Sequence, residues 1–177
     1  MTEQVVTGVG ELQQFLDQLP AKLQKNVLRG AMRAGAKVPL AAARDAVPVG
    51  PPSSEGARLY GGYRGALKES LRISTSSRGT TVSARVVAGG KTKGGADVFY
   101  AHMVEGGTKP HEIKPRRHKS LFFAGLMRQV VQHPGAKAKP FLGPALTRHV
   151  RATLDAVGDY IRRRLTKAGI DLPDNGD

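Results

Sequence analysis

The clearest pattern in this 177-residue sequence is a run of apolar residues near the C-terminal end, spaced three or four positions apart. The run consists of Leu146, Val150, Leu154, Val157, Ile161 and Leu165. Residues at this spacing share one face of an α-helix, so the segment is predicted to be a long amphipathic helix. It begins after Pro144 and ends before Gly169, and both residue types are typical of helix boundaries.

The middle of the sequence has the two-residue alternation that is typical of strands. Apolar or β-branched residues alternate with polar ones at Leu71, Ile73, Thr75, Val82, Ala84, Val86 and Ala88. Because Arg78 and Gly79 supply a turn between the two runs, the pattern predicts an antiparallel hairpin. The short apolar runs at 121–125 and 129–133 can complete this sheet, whereas 98–107 fits either a strand or a short helix.

Two further helices are predicted near the N-terminus. Apolar residues recur at helical spacing between Leu12 and Leu19, and Pro20 suits the first turn of a second helix. That helix continues through an Ala-rich stretch in which Pro39 is expected to produce a kink or a break. The predicted fold class is α+β, with a small antiparallel sheet packed against the long C-terminal amphipathic helix. The N-terminal helices are expected to cover a sheet edge or to contact a neighbouring subunit.

The chain length favours a single domain over residues 1–170, followed by a disordered acidic tail at 171–177. Segments rich in Gly, Pro, Ser or charge predict exposed loops at about 48–62, 89–97 and 106–119. The core is expected to be thin, since aromatic residues make up only 5% of the chain and Trp is absent. With no Cys to form disulfides, packing or partners must provide the stability.

Catalytic, cofactor and metal sites find no support in the sequence. The absence of Cys excludes thiolate ligands and a Cys nucleophile. The five His residues lack the compact spacing of metal ligands, and neither a nucleophile elbow nor a carboxylate pair stands out. The segment GGKTKGG at 89–95 lacks the residue order of a phosphate-binding loop. We therefore expect no enzyme, no cofactor and no metal.

The N-terminal residues lack the basic start and apolar run of a secretory signal. No stretch approaches the roughly 20 apolar residues that a membrane-spanning helix needs. We expect cytoplasmic synthesis without export or membrane anchoring.

The charge is strongly basic, since 28 Lys and Arg against 14 Asp and Glu give a formal net charge of +14. Such a charge attracts polyanions, including nucleic acid. The most prominent basic segment carries Lys109, Lys114, Arg116, Arg117 and Lys119. It has no aromatic residue on which bases could stack, so we expect electrostatic contact that does not depend on base sequence. The contact is either with DNA or with an acidic partner protein, and the apolar residues within and after the segment favour the partner protein.

Two motif segments complete the pattern. The first contains Tyr100, Ala101, Val104, Glu105, Gly107 and Thr108, and the second contains Pro140, Phe141, Leu142, Pro144, Ala145 and Leu146. Together with the hairpin and the long last helix, their order resembles the neck and tail-completion family of long-tailed bacteriophages, the gene-ten-like tail components. The resemblance covers roughly residues 5–167. In physical terms Pro140 and Pro144 stiffen the entry to the helix, Phe141 and Leu142 fix it onto the sheet, and Gly107 reverses the chain after Glu105.

The resemblance implies a structural virion protein of the siphovirus neck that connects the head connector to the tail tube during virus assembly, within an oligomeric ring. The implied partners are other copies of the chain and the adjoining connector, tail terminator or tail tube proteins, with sequence-independent contact with genomic DNA. The subunit would be made in the host bacterial cytoplasm and would end at the head–tail junction of the virion. The basic charge keeps a second hypothesis open, that of a sequence-independent nucleic-acid-binding protein.

Overall fold

The structure, a computed structural model, describes residues 10, 21–50, 62–79, 81–115, 121–123 and 125–166. Its helices are α1 (Ala21–Ala46), α2 (Ala66–Ser70), α3 (Ala101–Gly106), α4 (Leu142–Thr147) and α5 (Val150–Thr166). Its strands are β1 (Arg72–Arg78), β2 (Thr81–Val87), β3 (His111–Ile113), β4 (Leu121–Phe123), β5 (Leu126–Arg128) and β6 (Val131–His133). The long helices therefore lie towards the two ends of the chain and the strands lie between them.

Helix α1 runs without interruption through Pro39. Ala and Leu residues surround this proline, and they have the highest helix propensities, which offsets the loss of one backbone hydrogen bond. Burial adds to this, because Ala36 and Ala43, on either side of Pro39, are both buried. Of the two outcomes expected at Pro39, the break is therefore wrong.

Helices α1 and α5 pack against each other through a small apolar cluster. Val27 and Ala31 of α1 are buried with Ile161 and Leu165 of α5. The helices approach closely because α1 has glycine where α5 presents Tyr160, and a side chain at Gly30 would overlap that ring. Helix α1 thus packs on α5. The N-terminal helices were expected to cover a sheet edge or to contact a neighbouring subunit, so this contact was not predicted.

The strands form three separate two-stranded sheets, with the pairs β1–β2, β3–β6 and β4–β5. The β1–β2 hairpin, which turns at Gly79 with a φ of 58°, lies where the alternating pattern predicted it. The runs at 121–125 and 129–133 do not complete that sheet, because β4 pairs with β5 and β6 pairs back to β3. The ambiguous segment 98–107 contains the short helix α3.

The fold class is α+β, as predicted, with small two-stranded antiparallel sheets and a long C-terminal helix. The chain forms two compact units, one made of 1–42, 73–86 and 146–177 and the other of 43–72 and 87–145. The β1–β2 hairpin and helix α5 belong to the first unit, whereas α3 and the two smaller sheets belong to the second. The single domain over 1–170 stays a prediction.

The predicted loops differ in their outcome. Within 89–97, the N–H of Thr92 donates to the carbonyl of Ala96 over 2.9 Å, and Ala96 is fully buried, so this segment is an ordered turn with exposed lysines. The predicted loop at 106–119 contains strand β3. Most of the loop at 48–62, nearly all of the first predicted helix and the acidic tail at 171–177 lie outside the described residues.

Candidate functional site

The two motif segments meet at the side chain of Glu105. Its carboxylate, on α3, accepts hydrogen bonds from the backbone N–H groups of Phe141 at 2.7 Å, Leu142 at 3.0 Å and Gly143 at 3.0 Å. Helix α4 begins at Leu142, so these are N–H groups that have no partner within the helix. A carboxylate more than 30 residues earlier in the chain therefore caps the entry to α4.

The environment of Glu105 favours its charged form. Burial of the carboxyl raises its pKa, whereas the three backbone N–H donors lower it. The hydrogen bonds together outweigh burial, so the pKa of Glu105 lies below its ordinary value. At neutral pH the cap is a carboxylate, which binds N–H donors more strongly than a neutral acceptor does.

The chain that follows Glu105 is held against the second motif segment by backbone pairing. The N–H of Lys139 donates to the carbonyl of Val104 over 2.8 Å, and Thr108 pairs with Ala136 in an antiparallel bridge. Gly107 lies between these two contacts with a φ of 71°, and an added Cβ would lie 2.6 Å from the carbonyl oxygen of Ala136. Glycine at this position is therefore required both by the backbone conformation and by the close approach.

Phe141 is fully buried, with 0% of its surface exposed, which confirms the expectation that it is a core residue. The other motif residues surround it in different ways: Pro140 is exposed, and Leu142 and Pro144 are half-buried on α4. Tyr100 precedes α3, and its ring contacts Phe99 edge-to-face at 5.8 Å. Burial raises the pKa of the Tyr100 hydroxyl. The motif residues thus build a packed junction between α3 and α4.

The structure describes only part of the predicted basic segment. Lys109 and Lys114 are exposed, whereas Arg116, Arg117 and Lys119 lie outside the described residues. Lys114 forms an ion pair with Glu112 at 3.0 Å, and Glu112 also accepts a hydrogen bond from Gln132 on β6. The bond from Lys114 and that from Gln132 lower the pKa of Glu112. The electrostatic role of this segment stays a prediction.

Strand pairing places two lysines that the sequence analysis missed, Lys137 and Lys139, near the predicted Lys109. Thr108 faces Ala136 across the bridge, so Lys109 and Lys137 follow directly on either strand, and Lys139 pairs through its backbone with Val104. All three lysines are exposed. The register of β3 with β6 is the signal that brings them together, and it depends on contacts between residues 18 to 22 positions apart.

The rings of His111 and His133 lie 5.0 Å apart at directly opposed positions of β3 and β6. His111 Nδ1 lies 2.9 Å from the carbonyl of Lys109, and His133 Nδ1 accepts the N–H of Gly135. Within the part of the chain that the structure describes, no group of three or more His, Asp or Glu side chains is placed to hold a metal ion.

Several large apolar side chains are exposed in each unit. In the second unit Leu126 and Met127 of β5 are 56% and 67% exposed. In the first unit Leu146, Val150 and Leu154 are 52%, 41% and 44% exposed and recur every four residues, and we name them the apolar stripe. Exposed apolar surface of this kind is typical of protein interfaces.

Comparison of the chain with protein-family models, with curated proteins and with solved structures gave no match. None of the helices in the described ranges is both long enough and apolar enough to cross a membrane.

Proposed function

We propose that the protein is a non-enzymatic structural subunit of the neck of a long-tailed bacteriophage. It connects the head connector to the tail tube during assembly, as one member of a ring at the head–tail junction of the virion. Its partners are other copies of itself and the adjoining connector, tail terminator or tail tube proteins.

The observation that carries the proposal is the junction at Glu105. The resemblance to the neck family rests on two motif segments, and Glu105 of the first binds the backbone of Phe141, Leu142 and Gly143 in the second. The residues that carry the resemblance therefore form one structural unit, as expected if the two segments are parts of a single family motif. They bind each other and the core, which suits a structural role.

The exposed apolar residues support the same proposal. The apolar stripe lies on the segment that follows this junction, and a second exposed group lies on β5. Each of these apolar surfaces could be covered by a neighbouring protein, as is expected of a subunit that works within an assembly.

The direct test is electron microscopy of phage particles that carry the protein with a locating tag. We expect several copies arranged symmetrically at the head–tail junction. Deletion of the gene is expected to yield separate full heads and tails, with joined particles restored when the gene is supplied in trans. A single asymmetric copy, or no copy at the junction, contradicts the proposal.

The second candidate function is sequence-independent binding of nucleic acid. The observation that favours it is the formal net charge of +14 together with the exposed lysines around β3 and β6. Affinity for DNA measured over a range of salt concentrations tests it, because each phosphate contact makes binding weaken more steeply with salt. Binding that is undetectable at physiological salt excludes this function.

A further inference from the structure

The pairing around β3 and β6 forms a narrow two-stranded element. Antiparallel pairing runs from His111–Ile113 with Val131–His133 to the bridge between Thr108 and Ala136. Beyond the bridge, the N–H of Lys139 donates to the carbonyl of Val104 at the adjoining helix α3. We name residues 104–113 and 131–139 the basic ribbon. At about 3.3 Å per residue, the paired part from Thr108 to Ile113 spans roughly 17–20 Å.

The lysines lie on both segments of the basic ribbon, outside the short strands β3 and β6. Lys109 is on one, Lys137 and Lys139 are on the other, and all three are exposed. Among the described residues, neither of the two ion pairs involves these three lysines. Three positive charges within a short stretch of paired backbone are therefore left without a carboxylate partner in the described part of the chain.

The two acidic residues of the basic ribbon keep their negative charges, but neither forms an ion pair with these lysines, because each is held by other partners. Glu105 accepts three backbone N–H groups at the entry to α4. Glu112 is paired with Lys114 and Gln132. The lysines are thus available to an external polyanion.

We infer that the basic ribbon binds the phosphate backbone of duplex DNA through Lys109, Lys137 and Lys139, independently of base sequence. The inference deepens the second candidate function, on which it rests, by naming the site and the ligand. The major groove of B-DNA is about 12 Å wide and admits a two-stranded ribbon. Lysines on both strands then face phosphates along the groove, which are the dominant source of affinity in such contacts.

The surface chemistry favours DNA over an acidic protein. Interfaces between proteins have a buried core of apolar and aromatic side chains. All the exposed large apolar residues in the described ranges lie outside the basic ribbon. Interfaces with DNA are more polar and more positively charged, which is what the basic ribbon offers. Since the basic ribbon contains no Phe, Tyr or Trp on which successive bases could stack, double-stranded rather than single-stranded DNA is the expected ligand.

The test compares two triple variants of equal net charge. The first is Lys109→Gln with Lys137→Gln and Lys139→Gln, and the matched control is Lys25→Gln with Lys37→Gln and Lys68→Gln. The control lysines are also exposed, and they lie outside the basic ribbon. Binding of the purified full-length proteins to two short DNA duplexes of unrelated sequence is measured by fluorescence anisotropy at several salt concentrations. Thermal melting checks that both variants are folded.

If each lysine neutralises one phosphate, the basic ribbon variant lowers the slope of log K against log salt by about 3 and weakens binding at low salt at least about tenfold. The control variant is expected to bind nearly as well as the wild type, and the two duplexes are expected to bind alike. Equal losses in both variants would assign the affinity to net charge and overturn the inference.

Other outcomes separate this inference from the function on which it rests. If the wild type binds DNA and the basic ribbon variant binds equally well, the inference fails while the second candidate function stands. If the wild type binds neither duplex, both fail. Wild type that binds poly-glutamate through the basic ribbon but does not bind DNA would identify an acidic protein as the partner instead.

Discussion

The stretch from Phe141 to Leu165 has buried anchors at its two ends and an exposed apolar middle. Phe141 and Ala145 are buried at its start, and Ile161 and Leu165 are buried at its end. Between them, the apolar stripe of Leu146, Val150 and Leu154 stays about half exposed. The apolar stripe and the buried end belong to one periodic apolar pattern, yet the stripe does not contribute to the described core.

The difference shows that an apolar pattern identifies the face that can be buried but not the surface that buries it. At the end of α5, Val27 and Ala31 of α1 provide that surface. At the start, the Glu105 cap fixes the chain so that Phe141 enters the core. The described chain leaves the apolar stripe half exposed, so under the proposed function this stripe is the surface that a neighbouring subunit would cover. Substitutions at the buried anchors should therefore lower the stability of the subunit. Substitutions in the apolar stripe should instead impair assembly and change the stability little.

The largest effect on stability is expected at Phe141. Phe141→Ala removes a fully buried aromatic ring and is expected to cost about 3–5 kcal/mol of unfolding free energy, a large share of a typical domain stability. Chemical denaturation of the purified protein measures the loss. Phe99→Ala is the matched control, because Phe99 is 49% exposed and should cost much less. An unchanged melting temperature for Phe141→Ala would mean that Phe141 does not anchor the start of this stretch in the core.

A similar contrast in stability is expected within α5, between its buried end and its half-exposed middle. Leu165→Ala is expected to cost about 2–5 kcal/mol, because Leu165 is fully buried against α1. Leu154→Ala, three turns earlier on α5, is expected to cost at most about 1 kcal/mol. Urea denaturation of the two variants measures this contrast directly. Equal losses would mean that the middle of the helix is packed as tightly as its end.

A smaller, pH-dependent effect is expected at the Glu105 cap. Glu105→Gln keeps an oxygen acceptor but loses the charge, and it is expected to cost about 1 kcal/mol at neutral pH. Since the pKa of Glu105 is lowered in the folded protein, the stabilisation by the carboxylate is present above the ordinary Glu pKa. It is lost as the pH falls through the folded value.

Denaturation curves of wild type and Glu105→Gln at neutral and acidic pH therefore test the cap. The two proteins are expected to differ most at neutral pH and to converge in acid. Glu112→Gln is the control, because Glu112 is an exposed residue whose ion pair with Lys114 should contribute less to stability. A difference between wild type and Glu105→Gln that stays constant with pH would mean that the charge of Glu105 has no part in the cap.

Local sequence patterns predicted helices and strands. The arrangement of the candidate site, in contrast, depends on contacts between segments that are distant in the sequence. The alternation at 71–88 predicted the β1–β2 hairpin, and the prolines around Phe141 predicted its burial. The Glu105 cap and the proximity of Lys109 to Lys137 could not be read from spacing, because each depends on a register set by tertiary packing. The same limit applies to Pro39, where neighbouring helix formers and burial outweighed the local preference for a break.

The smallest effect on the stability of the subunit, and the largest on assembly, is expected at the apolar stripe. The triple variant Leu146→Gln, Val150→Gln and Leu154→Gln exchanges half-exposed apolar groups for polar ones of good helix propensity. Each exchange loses only part of a burial contribution, so we expect the melting temperature to change little. Joined particles should nevertheless be lost, because a partner that covers the stripe would have to bury three amides without hydrogen-bond partners.

The matched control is Arg151→Gln with Asp155→Asn and Arg162→Gln, which changes three exposed polar positions of α5 and is expected to leave joined particles at the wild-type yield. Yields are counted by electron microscopy after complementation of a gene deletion. A large drop in the melting temperature of the apolar-stripe variant would show that the chain itself buries these side chains. Joined particles at full yield with an unchanged melting temperature would place the assembly contact on another surface, and the exposed residues of β5 would then be the next to substitute.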